Sequence, residues 1–304
     1  MIITLDIGGT KTQSTFWENG VPVETNRIDT GSVTDIKQLL SAVIGGRSAE
    51  CLCIAAAGPV RGSVLELTNT GQCIDPLLLK KEFPQIPNIL LLNDLEAVGY
   101  SLAALGADNL HPLKPGRPQR GTKAVISLGT GLGVCLVTAE GEVLPSEGGH
   151  MDFAPGNPQQ QKIFSVLRKK YGHVSCERLL SGQGLVNIYA ALTGAWNLCP
   201  QQVTEKASRR EAAALETMAL FSQILGAVCG SYGLIFLASG GIYLGGGIAP
   251  KILPLLDRTA FERAFLDKGR LRDLLEEIPV HVILDEMAPS RGAAVYGAKL
   301  SSAV

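Results

Sequence analysis

Short apolar runs alternate with longer amphipathic patterns along the first hundred residues. The opening IITLDIGGTKTQSTFWENGVPVETN predicts a strand, a Gly-Gly turn, and two further strands separated by a turn at Asn19-Gly20. Residues 33–46 have helical periodicity, and CLCIAAAGPV predicts a strand that ends at Gly-Pro. NILLLN, residues 88–93, predicts a strand buried on both faces. Strands and helices that alternate in this way are typical of a βαβ-based α/β domain.

A second segment repeats this arrangement. The stretch AVISLGTGLGVCLVTAEGEVLPSEGG, residues 124–149, again predicts a strand, a Gly/Thr turn, a strand, a Gly turn and a strand. Internal duplication of one supersecondary unit is the simplest explanation. The intervening GADNLHPLKPGRPQRGTK contains three prolines, which favours a linker and a domain boundary near 105–122.

Helices predominate after residue 150. The pattern predicts strands at GGIYLGGGI and VHVILD. The predicted helices cover residues 158–171, 175–193, 200–206, 208–238, 250–256, 270–276 and a terminal segment from about 290.

Composition narrows the possible functions. The chain has 304 residues, of which 46% are hydrophobic and 18% charged, as expected of a folded soluble protein with one large or two moderate domains. A net charge of -1 gives no general electrostatic reason to bind nucleic acid or anionic membranes. No apolar run approaches the roughly 20 residues of a membrane span, and no signal peptide is recognisable, so we expect a cytoplasmic protein. The seven cysteines lack the spacing of a metal site and favour buried thiols.

Polar residues follow the apolar run of residues 88–93 abruptly. Asn93 and Asp94 come where a strand gives way to a helix, and Glu96 follows closely. One interpretation is simple capping, because Asn and Asp side chains accept hydrogen bonds from the first amides of a helix. The alternative is a ligand site, because ligands of open α/β sheets bind beyond the carboxyl ends of the strands.

Three glycine clusters are candidates for phosphate contact: Gly8-Gly9-Thr10, Gly129-Thr130-Gly131 and Gly245-Gly246-Gly247. None matches the Walker pattern or the dinucleotide-binding pattern. Tight hairpin turns would explain each cluster alone, but two duplicated Gly/Thr turns favour backbone amides and a Thr hydroxyl that bind phosphate. Asp6, directly before the first cluster, would repel phosphate unless a divalent cation lay between them, so we expect it to bind Mg²⁺ directly or through a water molecule.

Several motifs, in order and spacing over nearly the whole chain, resemble the bacterial glucokinases of the actin/hexokinase/Hsp70 ATPase superfamily. They are DIGGTKT, NDLEAVGYSLAAL, SLGTGLGV, EGGHMDFAP, GHVSCERLLSGQGLVNIY, YLGGGIAP and FLDKGRLRDLLEEIPVHVI. The resemblance implies a two-domain α/β fold of the actin-like ATPase, ribonuclease H-like type, with a duplicated core and a cleft between the domains. We expect a small domain over 1–108, joined by the terminal helix at about 288–304, and a large domain over 109–287.

The resemblance also implies the reaction and its residues. It predicts ATP-dependent phosphorylation of glucose at the 6-hydroxyl, with Mg²⁺, by a homodimer. Asp94 corresponds to the catalytic base; the sugar ligands correspond to Asn93, Asp94, Glu147, His150 and Glu177. The phosphate loops correspond to Gly8, Gly9 and Thr10 and to Gly129, Thr130 and Gly131, and the adenosine loop to Gly245, Gly246 and Gly247.

Some assignments have alternatives. Lys11 is a candidate phosphate partner, but the family often has Asn there, which favours a solvated side chain. Glu147 to His150 could form a turn with a structural histidine, and Glu177 could be a first-turn helix acid. The cysteine-rich zinc signature of the related repressor/open-reading-frame/kinase proteins is absent after His150. Two other functions remain open: a kinase for another hexose or amino sugar, and a non-catalytic sugar sensor.

Overall fold

The computed structural model describes residues 1–8, 11–30, 35–58, 60–67 and 71–301. Contacts divide the chain into two compact units. The first comprises Met1–Gly106 together with Asp285–Val304, and the second comprises Ala107–Leu284. The chain therefore leaves the first unit once and returns to it near the carboxyl terminus.

Strands and α-helices alternate over the part of the chain that the structure describes. The strands are β1 (Ile2–Ile7), β2 (Lys11–Glu18), β3 (Val21–Asp29), β4 (Cys51–Ala56), β5 (Val60–Arg61), β6 (Val64–Glu66), β7 (Cys73–Ile74), β8 (Asn88–Asn93), β9 (Leu110–Lys114), β10 (Lys123–Leu128), β11 (Leu132–Val137), β12 (Val143–Ser146), β13 (Ile242–Gly245) and β14 (Val280–Ile283). The helices are α1 (Ile36–Ile44), α2 (Pro76–Glu82), α3 (Asp94–Ser101), α4 (Pro158–Tyr171), α5 (Gly182–Thr193), α6 (Pro200–Ser208), α7 (Ala212–Ile235), α8 (Ala249–Ile252), α9 (Arg258–Leu266), α10 (Arg272–Glu277) and α11 (Ala288–Ser301).

The main sheets of the two units share one topology. In the first unit the strand order is β3-β2-β1-β4-β8, with an antiparallel meander on one side of β1 and parallel strands on the other. In the second unit the order is β12-β11-β10-β13-β14, and each pair of neighbouring strands is parallel or antiparallel as in the first unit. Strand β9 adds an antiparallel edge strand. The predicted α/β class and duplicated core are therefore confirmed.

Burial explains why the parallel strands contain continuous apolar runs. All six residues of β4 are buried, because β1 and β8 flank it and helices cover it. The first-unit helices α3 and α11 pack closely at Gly292, where an added Cβ would lie 1.7 Å from the carbonyl oxygen of Ala97. Only glycine permits this approach, which brings α11 against the helix that begins at Asp94.

Helix α7 is the central helix of the second unit's core. By length and composition it could cross a membrane, but 67% of its most apolar window is buried inside the protein. It packs against α9, where Phe261 and Phe265 are fully buried one turn apart. The sequence analysis did not predict α9.

Two other predictions were wrong in detail. The predicted linker contains β9, whose Lys114 is buried and donates hydrogen bonds to the carbonyl oxygens of Pro115, Glu276 and Ile278 at 2.9 to 3.0 Å. The predicted helix over 175–193 is a 3-10 turn at Cys176–Arg178 followed by α5. Ser181 begins α5 as its N-cap, with Oγ accepting the Gly184 amide at 3.0 Å, and Gly184 accommodates the break because a Cβ there would lie 2.4 Å from the backbone of Leu179.

The cysteines also differ from the prediction of buried thiols. Five are buried, whereas Cys73 and Cys199 are exposed.

Candidate active site

The junction between β8 and α3 is a capping box. The Asn93 Oδ1 atom accepts a hydrogen bond from the Leu95 amide at 2.9 Å, and Glu96 Oε2 accepts one from the Asn93 amide at 3.1 Å. Capping is thus performed by Asn93 and Glu96. Asp94, the first residue of α3, makes local backbone contacts, in one of which its Oδ1 accepts from the Leu95 amide at 2.9 Å.

Asn93 is held from a second direction. Its Nδ2 group donates to the carbonyl oxygen of Gly58 at 3.1 Å, just beyond the end of β4. Parallel strands β4 and β8 end side by side, since Ala56 pairs with Asn93. The amide therefore has a fixed orientation, set by one contact along the helix and one across the sheet.

Two carboxyl groups of the first unit, those of Asp6 and Asp94, have raised pKa values. Burial raises the pKa of Asp6 from its ordinary 3.8 to about 7, and the charge of Asp94 acts in the same direction. Burial also raises the pKa of Asp94, although the hydrogen bond from Leu95 opposes this effect. Both groups consequently have a greater affinity for protons, or for another positive charge, than an exposed carboxylate has.

The first glycine turn lies between β1 and β2. The Gly8 amide donates to the carbonyl oxygen of Lys11 at 3.0 Å, and a Cβ on Gly8 would lie 2.9 Å from the same oxygen. The Thr30 hydroxyl donates to the Gly8 carbonyl at 2.9 Å and so supports the turn from β3. The Lys11 side chain is exposed. Gly9 and Thr10 lie outside the described residues.

The second glycine turn occupies the matching position between β10 and β11. The Gly129 amide donates to the Gly131 carbonyl at 2.9 Å, and the Gly129 carbonyl accepts from the Gly182 amide at 3.0 Å. Thr130, between them, is exposed. The turn is therefore tied to the start of α5 and presents Thr130 outward.

The third glycine cluster lies beside the second. Gly245 ends β13, and Gly246 has φ +83° with no space for a side chain, because a Cβ would lie 2.3 Å from the Leu128 carbonyl oxygen. That oxygen also accepts the Ile248 amide at 3.0 Å. Gly247, in contrast, has no neighbour within 4 Å of an added Cβ. Glycine is thus required at Gly246 for backbone packing.

The polar residues of the EGGH and HVSCER motifs form two adjacent 3-10 turns in the second unit. Glu147 and His150 are exposed at the ends of the first turn, where the His150 amide donates to the Glu147 carbonyl at 3.0 Å. Glu177 lies in the second, which is joined to the first by the Cys176 amide donating to the Met151 carbonyl at 2.8 Å. The two turns therefore bring Glu147, His150 and Glu177 into one region.

Glu177 also contacts the second glycine turn. Its Oε2 atom accepts the Leu132 amide at 3.0 Å. Sequence reasoning missed this contact, and it missed the supporting roles of Thr30, Gly58 and Glu96. The spacing of Asn93 and Glu96 is that of a capping box and could have indicated Glu96. The other contacts join residues distant in sequence and have no local signal.

The two sheets share one topology, a glycine turn follows the central strand of each, and Asp94 begins the helix after β8; this arrangement is that of the actin-like ATPase fold, to which sugar kinases belong. A glucokinase from an Antarctic psychrotroph superimposes with a TM-score of 0.88 at 26% identity, over 98% of both chains. A ROK family glucokinase from Streptomyces griseus, in complex with glucose and AMPPNP, has a TM-score of 0.66 at 21% identity, over 98% of this chain and 99% of that one.

The chain belongs to the glucokinase family, whose model matches residues 3–300. It is 35% identical to the glucokinase of Nostoc punctiforme over 99% of both chains. The glucokinase of Pectobacterium atrosepticum is 34% identical over 97% of this chain and 96% of the relative. These findings confirm the resemblance that the motifs indicated.

Proposed function

We propose that the protein is a glucokinase, which transfers the γ-phosphoryl group of ATP to the 6-hydroxyl of glucose. Membership of the glucokinase family supports both the substrate and the reaction. The observation that carries the proposal is the position of Asp94, a carboxylate with a raised pKa at the start of α3, beside an Asn93 side chain fixed by two hydrogen bonds.

Asp94 is the proposed catalytic base. Phosphoryl transfer requires chiefly positioning and charge neutralisation, and a carboxylate that accepts the proton of the attacking hydroxyl group completes the nucleophile. A raised pKa makes Asp94 a better proton acceptor in the transition state than an exposed carboxylate would be. Asn93 and Glu96 form the capping box, and Asp94 shares the Leu95 amide through Oδ1, so Asp94 Oδ2 is the proposed proton acceptor.

The glycine clusters are the proposed nucleotide site. Backbone amides after Gly8 and after Gly129 in these loops would bind phosphate oxygens, because the Gly8 and Gly129 amides donate within their own turns, and the Thr10 and Thr130 hydroxyls would be additional donors. Gly9 belongs to the first of these loops, and Lys11 is retained as a solvated phosphate partner. Gly245 to Gly247 would contact adenosine, and the open space beside Gly247 is compatible with a ligand there.

The sugar is proposed to bind to Asn93, Asp94, Glu147, His150 and Glu177. Each hydroxyl of a hexose both donates and accepts, so a lining of amide, carboxylate and imidazole groups suits it. Glu147 and His150 support this role by their exposure at the ends of one turn.

Mg²⁺ is the proposed metal, with Asp6 as its ligand. The donor chemistry fits, because burial and the charge of Asp94 both raise the pKa of the Asp6 carboxyl, and Mg²⁺ prefers oxygen ligands. The bound ion would neutralise charge on the ATP phosphates. Asp6 would hold the ion or its water, while Asp94 keeps its proton-accepting role.

The first test is a coupled assay of ADP release with Mg-ATP and a panel of hexoses and amino sugars. We expect turnover to be led by glucose, and Asp94→Asn to lower kcat by at least about 100-fold while glucose still binds. Glu18→Gln, which alters an exposed carboxylate on β2, is the matched control and should retain wild-type turnover.

Two outcomes would contradict the proposal. If the wild type binds glucose but none of the sugars in the panel supports ADP release, the protein is a sensor. If another sugar leads the panel, it is a kinase for that sugar instead.

The family also leads us to propose a cytoplasmic homodimer. Sedimentation equilibrium should give about twice the monomer mass of 32.1 kDa, and a monomer mass would refute the dimer.

A further inference from the structure

The peptide groups of Leu132 lie where three motifs of the second unit meet. The Leu132 amide donates to Glu177 Oε2 at 3.0 Å. The Leu132 carbonyl lies against Gly149 of the EGGH turn, where an added Cβ would be 1.7 Å from the oxygen. The second glycine turn is therefore in contact with both segments that carry proposed sugar ligands.

The Glu177 carboxylate is packed directly on the glycine turn. A Cβ on Gly131 would lie 2.5 Å from Glu177 Oε2, so any side chain there would displace the carboxylate. An ionised acceptor makes a stronger hydrogen bond to an amide than a neutral acceptor does. This contact consequently contributes to the conformation of the turn at Gly131 and Leu132.

The segment that carries Glu177 has little freedom to move independently. The Cys176 amide donates to the Met151 carbonyl at 2.8 Å, the Leu180 amide donates to the Cys176 carbonyl at 2.9 Å, and Asp152 forms an isolated β-bridge with Ser175. Because these contacts hold the backbone before and after Glu177, a change in the orientation of its side chain would be transmitted to Leu132.

We infer that Glu177 is a positioning residue for the second phosphate loop as well as a sugar ligand, and that it couples sugar binding to nucleotide binding. The inference rests on the proposed function for the sugar-binding role of Glu177. Oε2 is committed to the Leu132 amide, and Oε1, which takes part in none of the hydrogen bonds between described residues, is left for a sugar hydroxyl. A sugar that fixes the carboxylate also stabilises the loop and so raises the affinity for nucleotide. Thermodynamic linkage then requires the nucleotide to raise the affinity for the sugar by the same factor.

The test is the affinity for AMPPNP, measured by titration calorimetry with Mg²⁺ in the absence and the presence of saturating glucose. For the wild type we expect glucose to tighten AMPPNP binding at least about fivefold, the lower end of typical coupling between sites. In Glu177→Ala we expect AMPPNP to bind about tenfold more weakly without glucose, because an amide loses a charged acceptor. The glucose effect should then fall below about twofold.

Two further variants separate positioning from general damage. Glu177→Gln retains an oxygen acceptor for the Leu132 amide and should restore most of the glucose-free affinity. Glu140→Ala removes an exposed carboxylate of the β11–β12 hairpin and should change neither quantity.

Wild-type AMPPNP affinity in glucose-free Glu177→Ala would overturn the inference, as would an undiminished glucose effect in that variant. Failure of the proposed function has a different signature, namely the absence of glucose phosphorylation by the wild type. The glucose-free measurement tests the loop contact in either case, since it involves no sugar.

Discussion

The buried carboxyl of Asp6 should make the first unit less stable as the pH rises. Its pKa in the folded protein is about 7, against an ordinary value of 3.8. Between these values the folded protein retains a proton that the unfolded chain has released, so stability is lost as the pH rises from about 4 to about 7. Above this window the loss is complete. The full effect corresponds to about 4 kcal/mol, at about 1.4 kcal/mol for each pH unit.

The substitution Asp6→Asn removes the ionisation and keeps the shape of the side chain. The difference in unfolding free energy between Asp6→Asn and the wild type should therefore grow by about 3 kcal/mol between pH 5 and pH 8, with the variant more stable. The chain has two tryptophans, and the first-unit Trp17 is buried with its Nε1 donating to Thr4 Oγ1 at 2.8 Å. In a Trp196→Phe background, Trp17 fluorescence reports on the first unit alone.

The assay is urea unfolding followed by Trp17 fluorescence at several pH values, without Mg²⁺ or nucleotide. Glu18→Gln, at an exposed position on the neighbouring strand, should show no such growth with pH. A stability difference between Asp6→Asn and the wild type that does not change with pH would refute the reasoning, because burial of the Asp6 carboxyl could not then be the cause.

Two further predictions concern the support of Asp94. Glu96→Ala should destabilise the first unit by about 1 kcal/mol and lower kcat. Glu96→Gln can still accept the Asn93 amide and should lose less stability and less turnover. Equal losses for the two variants in urea unfolding and in turnover would contradict this prediction. Gly292→Ala should cost about 3 kcal/mol or more, since its Cβ would lie 1.7 Å from the Ala97 carbonyl oxygen. Wild-type unfolding of Gly292→Ala would show that α3 and α11 can separate without cost.

Local signals predicted the elements whose identity depends on neighbouring residues. The apolar run before Asn93, the turn at Asn19-Gly20 and the helix at Pro158–Tyr171 follow from short-range periodicity and turn chemistry, and each is observed near the predicted position. Helix α9 was missed because its burial comes from only three residues, Phe261, Phe265 and Leu266, and so few apolar positions make a weak periodic pattern.

The predicted linker shows how tertiary packing overrides composition. Prolines and basic residues favour an exposed segment, yet Leu110–Lys114 forms the edge strand beside β14. The three carbonyl oxygens that accept from Lys114 include two near residue 277, more than 160 positions away in the chain. No local pattern could have indicated this, because the partners meet only in the folded unit.

The sequence by itself determined which chemical groups are available: Asn93 and Asp94 after a buried strand, Asp6 before a glycine turn, and two duplicated Gly/Thr turns. It determined them because strand ends and tight turns are encoded by adjacent residues. Only the tertiary structure decided their properties. Burial and the charge of Asp94 raise the pKa of Asp6, and the carboxylate of Glu177 reaches the Leu132 amide across 45 positions of sequence. Desolvation and hydrogen bonding depend on which groups are neighbours in space, and the folded chain alone specifies those neighbours.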